Sequence, residues 1–292
     1  MSNKNCQLII GGESIIGRYL NYQLLKNNID VYYTTRKYTK PFTKSIYLNL
    51  NEDININLVP TKVYVCAGIS DLKICENNPI ETSSINVDAT INLIKKFYKL
   101  GSHIVFFSSD MVFGKPISIP KINSKKSPLN EYGKQKSIVE EELKSLGGNI
   151  TIFRMTKITS IYTSFIESWF EKLQNNISIE PYSNYYLSPI SLEYVVSNIL
   201  NDNLSGLIHL SGKEKISYYD FAIKIANKMN FSKKNIHPKK LKRAHKNKSF
   251  YNINSNILDM GETTMNFDIK PQSINSVLRD LSKEFLYFKK YH

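Results

Sequence analysis

Tyr132 and Lys136 stand four residues apart in Asn130 to Ser145, a stretch whose apolar spacing predicts a helix. Side chains at i and i+4 share one helix face, so a phenol and an ammonium can enter the same pocket. A cation beside a phenol of free pKa about 10 favours its ionised form and makes it a better acid–base near neutrality. The spacing alone is common. Tyr22 with Lys26 and Tyr33 with Lys37 share it and read as ordinary surface residues. What sets Tyr132 apart is its surroundings: FFSSDMVFG at 106–114 and SPLNEYGKQKSIVEEEL at 127–143.

A second constellation lies at the start of the chain. Gly11, Gly12 and Gly17 fall in IIGGESIIG, between a strand-like run and the opening of a helix. Small residues there let the backbone turn tightly and approach a pyrophosphate at the helix N-terminus. Counted from Gly11 the pattern is Gly-x-x-Ser-x-x-Gly, with Ser14 where a middle glycine is usual. The turn and the first helical residues, Ser14, Ile15 and Ile16, are expected to line a dinucleotide. A plain tight turn is the bland alternative, and the strand-to-helix position favours the functional reading. At the end of the second strand the chain reads Thr34-Thr35-Arg36-Lys37, with no acidic residue to take a ribose 2′-hydroxyl. Arg36 suits a 2′-phosphate. NADP is therefore expected, with NAD as the alternative.

The elements that must position these residues alternate. Strands are expected at Gln7 to Gly11, Asp30 to Thr35, Ser45 to Leu50, Lys62 to Cys66, His103 to Ser108 and Asn149 to Arg154. Helices are expected at Ile16 to Asn27, Val87 to Leu100 and Asn130 to Ser145. Strands apolar throughout and alternating with helices imply a parallel sheet covered on both faces. After about Ile158 the alternation loosens. Helix candidates there are Phe165 to Gln174, Leu192 to Asn201, Tyr218 to Met229 and Ile274 to Phe288, with a short strand at Leu207 to Leu210. The expected architecture is α/β: a doubly wound parallel sheet over 1–158 and a smaller α/β substrate lobe over 159–292, from which the chain can cross back to the sheet.

Composition narrows the class. The 292 residues are 41% hydrophobic and 22% charged, an ordinary balance for a globular protein. No apolar run approaches the roughly 20 residues of a membrane span, and the N-terminus lacks the apolar core of a signal peptide. Cys6, Cys66 and Cys75 lack metal-ligand spacing and read as reduced thiols of a cytoplasmic protein. The net charge of +14 comes from 34 Lys against 5 Arg, without the interleaved Arg and aromatics of a nucleic-acid module. Its densest cluster, Lys233 to Lys248, reads first as a solvated loop and second as an attractor of anionic substrate. His103 and His209 lie in apolar strands as core residues, and no metal site is expected.

The glycine turn, Cys66-Ala67-Gly68, Asn86 in INVDAT, SSDMVFG, YGKQK, SPISLEYVVSNIL and GLIHLSGKEKISYYDFA together carry a family likeness. The chain resembles the extended short-chain dehydrogenases/reductases, within them the dTDP-4-dehydrorhamnose reductase-like group, over nearly its whole length. The resemblance implies that Ser109 polarises a substrate carbonyl, Tyr132 donates the proton, and Lys136 lowers its pKa and holds the nicotinamide ribose. It also implies that Cys66, Ala67 and Gly68 run past the adenosine. Asn49, followed by Leu50, stands where the family has an Asp facing the adenine, and Asn86 is a structural or water-holding residue. The substrate would be a nucleotide-diphosphate sugar met by Ser109, Asp110, Met111, Lys157 and Arg243. A homodimer is the assembly to test.

Two departures matter. Sugar-nucleotide dehydratases carry Asp-Glu after the Ser/Thr, whereas Asp110-Met111 lacks the second carboxylate, which speaks against elimination. Rhamnose-type reductases carry Thr-Ser-Trp after the strand-ending arginine. Here Arg154 leads into Met155-Thr156-Lys157, which leaves the sugar's identity open. An epimerase of the same superfamily and a non-catalytic NAD(P)-binding subunit are the rival readings.

Overall fold

Ile150–Met155 is buried at all six positions and Lys62–Val65 at all four, the pattern of strands covered on both faces. The computed structural model describes residues 6–37, 44–241 and 257–291. The described chain divides into two units. One combines the residues up to Val112 with Pro128–Arg154 and Asp202–Ile208; the other takes Phe113–Ser127, Met155–Asn201 and the residues from His209 onward.

In the first unit, strands β1 (Gln7–Ile10), β2 (Val31–Thr35), β3 (Ser45–Tyr47), β4 (Lys62–Val65), β5 (His103–Ser109) and β6 (Ile150–Met155) assemble with a seventh, Gly206–Leu210, from much later in the chain. The order from that late strand is seventh-β6-β5-β4-β1-β2-β3. The pairings β3/β2, β2/β1, β1/β4 and β4/β5 are all parallel. This is a Rossmann-type sheet, and the strand order reverses between β1 and β4, where such sheets open a crevice at their carboxyl ends. Helices α1 (Ile15–Lys26), α2 (Leu72–Asn77), α3 (Pro79–Ser83), α4 (Thr90–Lys99) and α5 (Glu131–Leu146) complete the unit. Its core runs through Leu8, Val63, Phe97, Ile104, Val139 and Ile152.

The single helix expected from Val87 is longer and broken. Asp71 caps α2 by accepting from the amides of Lys73 and Ile74, and Pro79 opens α3, where a missing N–H costs nothing. A π-helical stretch, Ser84–Ala89, then leads into α4. The Thr90 hydroxyl donates to the carbonyl of Ile85, five residues back, at 2.9 Å. Such widened turns recur at functional sites, and this one carries Asn86.

The second unit holds β7 (Lys157–Thr159), α6 (Ser164–Gln174), β8 (Tyr186–Leu187), β9 (Pro189–Ser191) and α7 (Leu192–Ile199); after the late strand of the first sheet, numbered β10 (Gly206–Leu210), come β11 (Ile216–Ser217), α8 (Tyr218–Met229), α9 (Gly261–Phe267) and α10 (Ile274–Tyr291). β7 pairs parallel with β9, and β8 antiparallel with β11. The core is rich in rings. Trp169 meets Phe165 and Phe170 meets Phe285 edge-on, and Tyr185 stacks on Tyr218 at 5.4 Å. Among the described residues no helix is long and apolar enough to cross a membrane.

Candidate active site

The glycine turn between β1 and α1 is built by close approach. Gly11 has φ +83°, a region that favours glycine. A Cβ there would lie 2.7 Å from the Ala67 backbone nitrogen, so the turn rests directly on the chain leaving β4. The Gly11 and Gly12 amides donate to the Thr34 hydroxyl and carbonyl at 2.8 and 2.9 Å, tying the turn to β2. Ser14, at the position of the usual middle glycine, is the N-cap of α1: its hydroxyl accepts from the Gly17 amide at 3.0 Å. A Cβ on Gly17 would run into the Gly11 carbonyl oxygen. Ile15 and Ile16 form the first turn of α1, whose amides have no carbonyl of their own helix to bond. This cradle, which side chains would fill, fits a pyrophosphate.

Cys66 and Ala67 follow β4 and are half-buried; burial pushes the Cys66 thiol up, opposed by the Ser14 hydroxyl. At the end of β2, Arg36 is exposed, and Lys37 pairs with Glu13 of the turn at 2.9 Å. Asn49 turns its amide to Glu52 at 2.7 Å and accepts from the Asn51 amide, while Leu50 packs on the first unit's core.

The second constellation forms where β5 ends. The Ser109 hydroxyl donates to the buried Asp110 carboxylate at 3.2 Å and accepts from the Met111 amide at 3.2 Å. Asn130 caps α5 by accepting from the Gly133 amide at 2.7 Å. A Cβ on Gly133 would stand 2.5 Å from the Met111 carbonyl oxygen. The first turn of α5 therefore sits directly on the Ser109–Met111 turn, and only glycine allows that approach. Tyr132 and Lys136 are half-buried on that helix. The Lys136 amine lies 4.5 Å from the Phe106 ring centre and 5.8 Å from that of Tyr132.

The electrostatics of the two groups follow from their burial. The Tyr132 phenol is pushed above its ordinary value, first by burial and then by the negative charge of Asp110. Desolvation disfavours the charged phenolate. Burial also pulls Lys136 down to about 8, with Glu140 opposing that fall.

The support beneath the pair is what residue types alone did not reveal. Asn86 is buried; its carbonyl oxygen accepts from the Ile69 amide at 2.7 Å, and its amide donates to the Ile69 carbonyl and to Gln135 at 2.8 Å. It thus ties the loop after Gly68 to α5 as a structural residue. Glu140 accepts from Arg154 at 2.9 and 2.7 Å and from the Ser108 hydroxyl at 2.5 Å, all three groups buried. The signal was available: Tyr132, Lys136 and Glu140 follow at i, i+4 and i+8, and Arg154 is one of only five arginines.

The family model for the RmlD substrate binding domain matches residues 6–286. The chain belongs to this family. A curated relative, methionine adenosyltransferase 2 subunit beta of Bos taurus, is 23% identical over 248 residues, covering 79% of this chain and 74% of that protein. A dTDP-4-dehydrorhamnose reductase of Sinorhizobium fredii is 23% identical over 56% of this chain and 59% of its own. The solved dTDP-4-dehydrorhamnose reductase of Bacillus anthracis, in complex with NADP, superposes with a TM-score of 0.82 at 19% identity, covering 98% and 99% of the two chains. That likeness establishes the shared Rossmann-type fold.

Within the family frame the remaining candidates divide. Lys157 opens β7 in the second unit, exposed, its amine 5.5 Å from the Phe165 ring centre. Arg243 lies outside the described residues. His209 is fully buried and its Nδ1 bonds the Asp259 carbonyl, while His103 is half-buried with Nε2 against the Thr151 hydroxyl. Among the described residues no group of His, Cys, Asp and Glu could hold a metal.

Proposed function

We propose that the protein is an NADPH-dependent reductase of a nucleotide-linked keto sugar, of the 4-keto-6-deoxy type, with Tyr132 as proton donor. The observation that carries this reading is the seating of α5 on the Ser109–Met111 turn, which brings a hydroxyl, a phenol and an amine to one sheet end. The cradle at Gly11 and Gly17 lies at the carboxyl end of β1, where such sheets bind dinucleotides. The Bacillus anthracis protein of the same fold is a complex with NADP, and Arg36 at the end of β2 suits a 2′-phosphate.

When bound, NADPH supplies the two electrons and the hydrogen for the sugar carbonyl. Ser109 and Tyr132 donate hydrogen bonds to the carbonyl oxygen and stabilise the charge that develops there. Tyr132, neutral because burial raises its pKa, is in the protonation state of an acid and delivers its proton to that oxygen. Lys136 holds the nicotinamide ribose and, as an ammonium, stabilises the phenolate left behind.

The test is a panel of nucleotide 4-keto sugars with purified protein, following consumption of reduced nicotinamide. Stoichiometric oxidation of NADPH supports the reading. Conversion of the sugar without net NADPH loss would instead mark an epimerase. A second reading has its own observation, a curated relative named as a subunit of methionine adenosyltransferase. On that reading the protein binds NADP and a partner enzyme, and turns over no sugar in the panel.

A further inference from the structure

We propose that Glu13 sets the cofactor preference of the glycine turn by occupying Lys37, so that Arg36 answers a 2′-phosphate without it. The proposal rests on the cofactor reading above and goes beyond it. Glu13 stands between Gly12 and Ser14, inside the turn that cradles the dinucleotide, and Lys37 lies two residues past the end of β2. Their side chains meet at 2.9 Å. The Glu13 carboxyl is held below its ordinary value first by the Lys37 hydrogen bond, then also by the Thr35 hydroxyl and the charge of Arg36. The Lys37 amide in turn donates to the Thr35 hydroxyl at 3.1 Å, so three consecutive residues of the β2 end are organised around one carboxylate.

The pair is 80% and 44% exposed, and exposed ion pairs add little to fold stability. Its consequence is electrostatic. Two cations suited to a phosphate stand at the end of β2, and one is already engaged by a carboxylate of the same loop. A 2′-phosphate arriving there meets Arg36, must compete for Lys37, and faces the negative charge of Glu13. A 2′-hydroxyl meets none of that repulsion. Glu13 therefore narrows the advantage of NADPH over NADH that Arg36 provides.

The experiment is a binding titration of the full chain with NADPH and NADH, read by nicotinamide fluorescence. The proteins are wild type, Glu13→Gln, Lys37→Ala and the double variant, each at low and high salt. Glu13→Gln is expected to tighten NADPH by about three- to tenfold, the scale of one partly screened charge near a phosphate, and to move NADH less than about twofold. The gain should shrink to less than about half in the Lys37→Ala background and fade as salt rises. An unchanged NADPH-to-NADH ratio in Glu13→Gln overturns the proposal, as does a full gain without Lys37. Wild-type protein that binds neither nucleotide would instead overturn the cofactor reading itself. Binding of both, with a ratio indifferent to residue 13, removes only the role given to Glu13.

Discussion

The two units hold their candidate residues by different physics. In the first, Gly11 against Ala67 and Gly133 against Met111 are backbone contacts without room for one methyl group, and buried polar bonds fix what surrounds them. In the second, Lys157 lies over one ring of an interlocked aromatic core, and side chains rather than backbone set the spacing. A backbone contact without room for a methyl group fixes a position closely, whereas a hydrophobic core tolerates swaps that conserve its volume. Changes at the first unit's close backbone contacts should thus cost function beyond their cost in stability, and changes in the second unit's core should cost stability alone.

The largest effect that would break or sharpen this contrast is at Tyr132. Tyr132→Phe deletes one oxygen and is expected to lower turnover by roughly 10² to 10⁴ while leaving NADPH affinity and Tm near wild type. Turnover equal to wild type on the true substrate would remove Tyr132 as proton donor.

Next in size is the buried pair. Arg154→Met leaves the Glu140 carboxylate inside the first unit without its guanidinium and should destabilise by about 3–5 kcal/mol. Adding Glu140→Leu should recover most of that loss, since apolar replacement of both partners is far better tolerated than removal of one. Chemical denaturation of the single and double variants checks this. A double variant no more stable than the single one contradicts it.

One methyl group compares the units directly. Gly133→Ala places a Cβ against the Met111 carbonyl and should cost about 1–3 kcal/mol as the start of α5 shifts, with a loss of turnover beyond what residual folding explains. Ile225→Val removes one methyl from a fully buried position of the second unit and should cost about 0.5–1.5 kcal/mol with kcat unchanged. Equal effects on kcat would erase the proposed difference.

A last effect concerns pH. Burial pushes the Glu284 carboxyl on α10 up to about 7 from an ordinary 4.5, although the Ile161 amide donates to it at 2.9 Å. The folded state therefore binds this proton more tightly than the unfolded chain. Its contribution is fully favourable below pH 4.5 and is lost as pH rises from 4.5 to about 7. Glu284→Gln should match or exceed wild-type Tm above pH 7 and lose that advantage below pH 4.5. A variant less stable than wild type above pH 7 would show that the carboxylate is stabilised by its surroundings.

Much of this was written in local sequence. Continuous apolar strands alternating with helices specify a parallel sheet, because only strands covered on both faces lack a polar side. A glycine turn at a strand-to-helix junction, and a tyrosine and lysine one helical turn apart, mark chemistry because their geometry is local. Tertiary structure decided what depends on residues far apart in the chain. Asn86 meets Gln135 across 49 residues, and Glu140 meets Ser108 and Arg154 across 32 and 14. Spacing within one element says nothing of such meetings. The sign of the Tyr132 shift was decided there too. A motif names the cation beside the phenol, but the burial and the Asp110 carboxylate that raise the phenol's pKa come only from packing. The role of Ser14 as a helix cap, where a glycine was the reference, follows from the same cause: its hydroxyl finds an amide that exists only once α1 has formed.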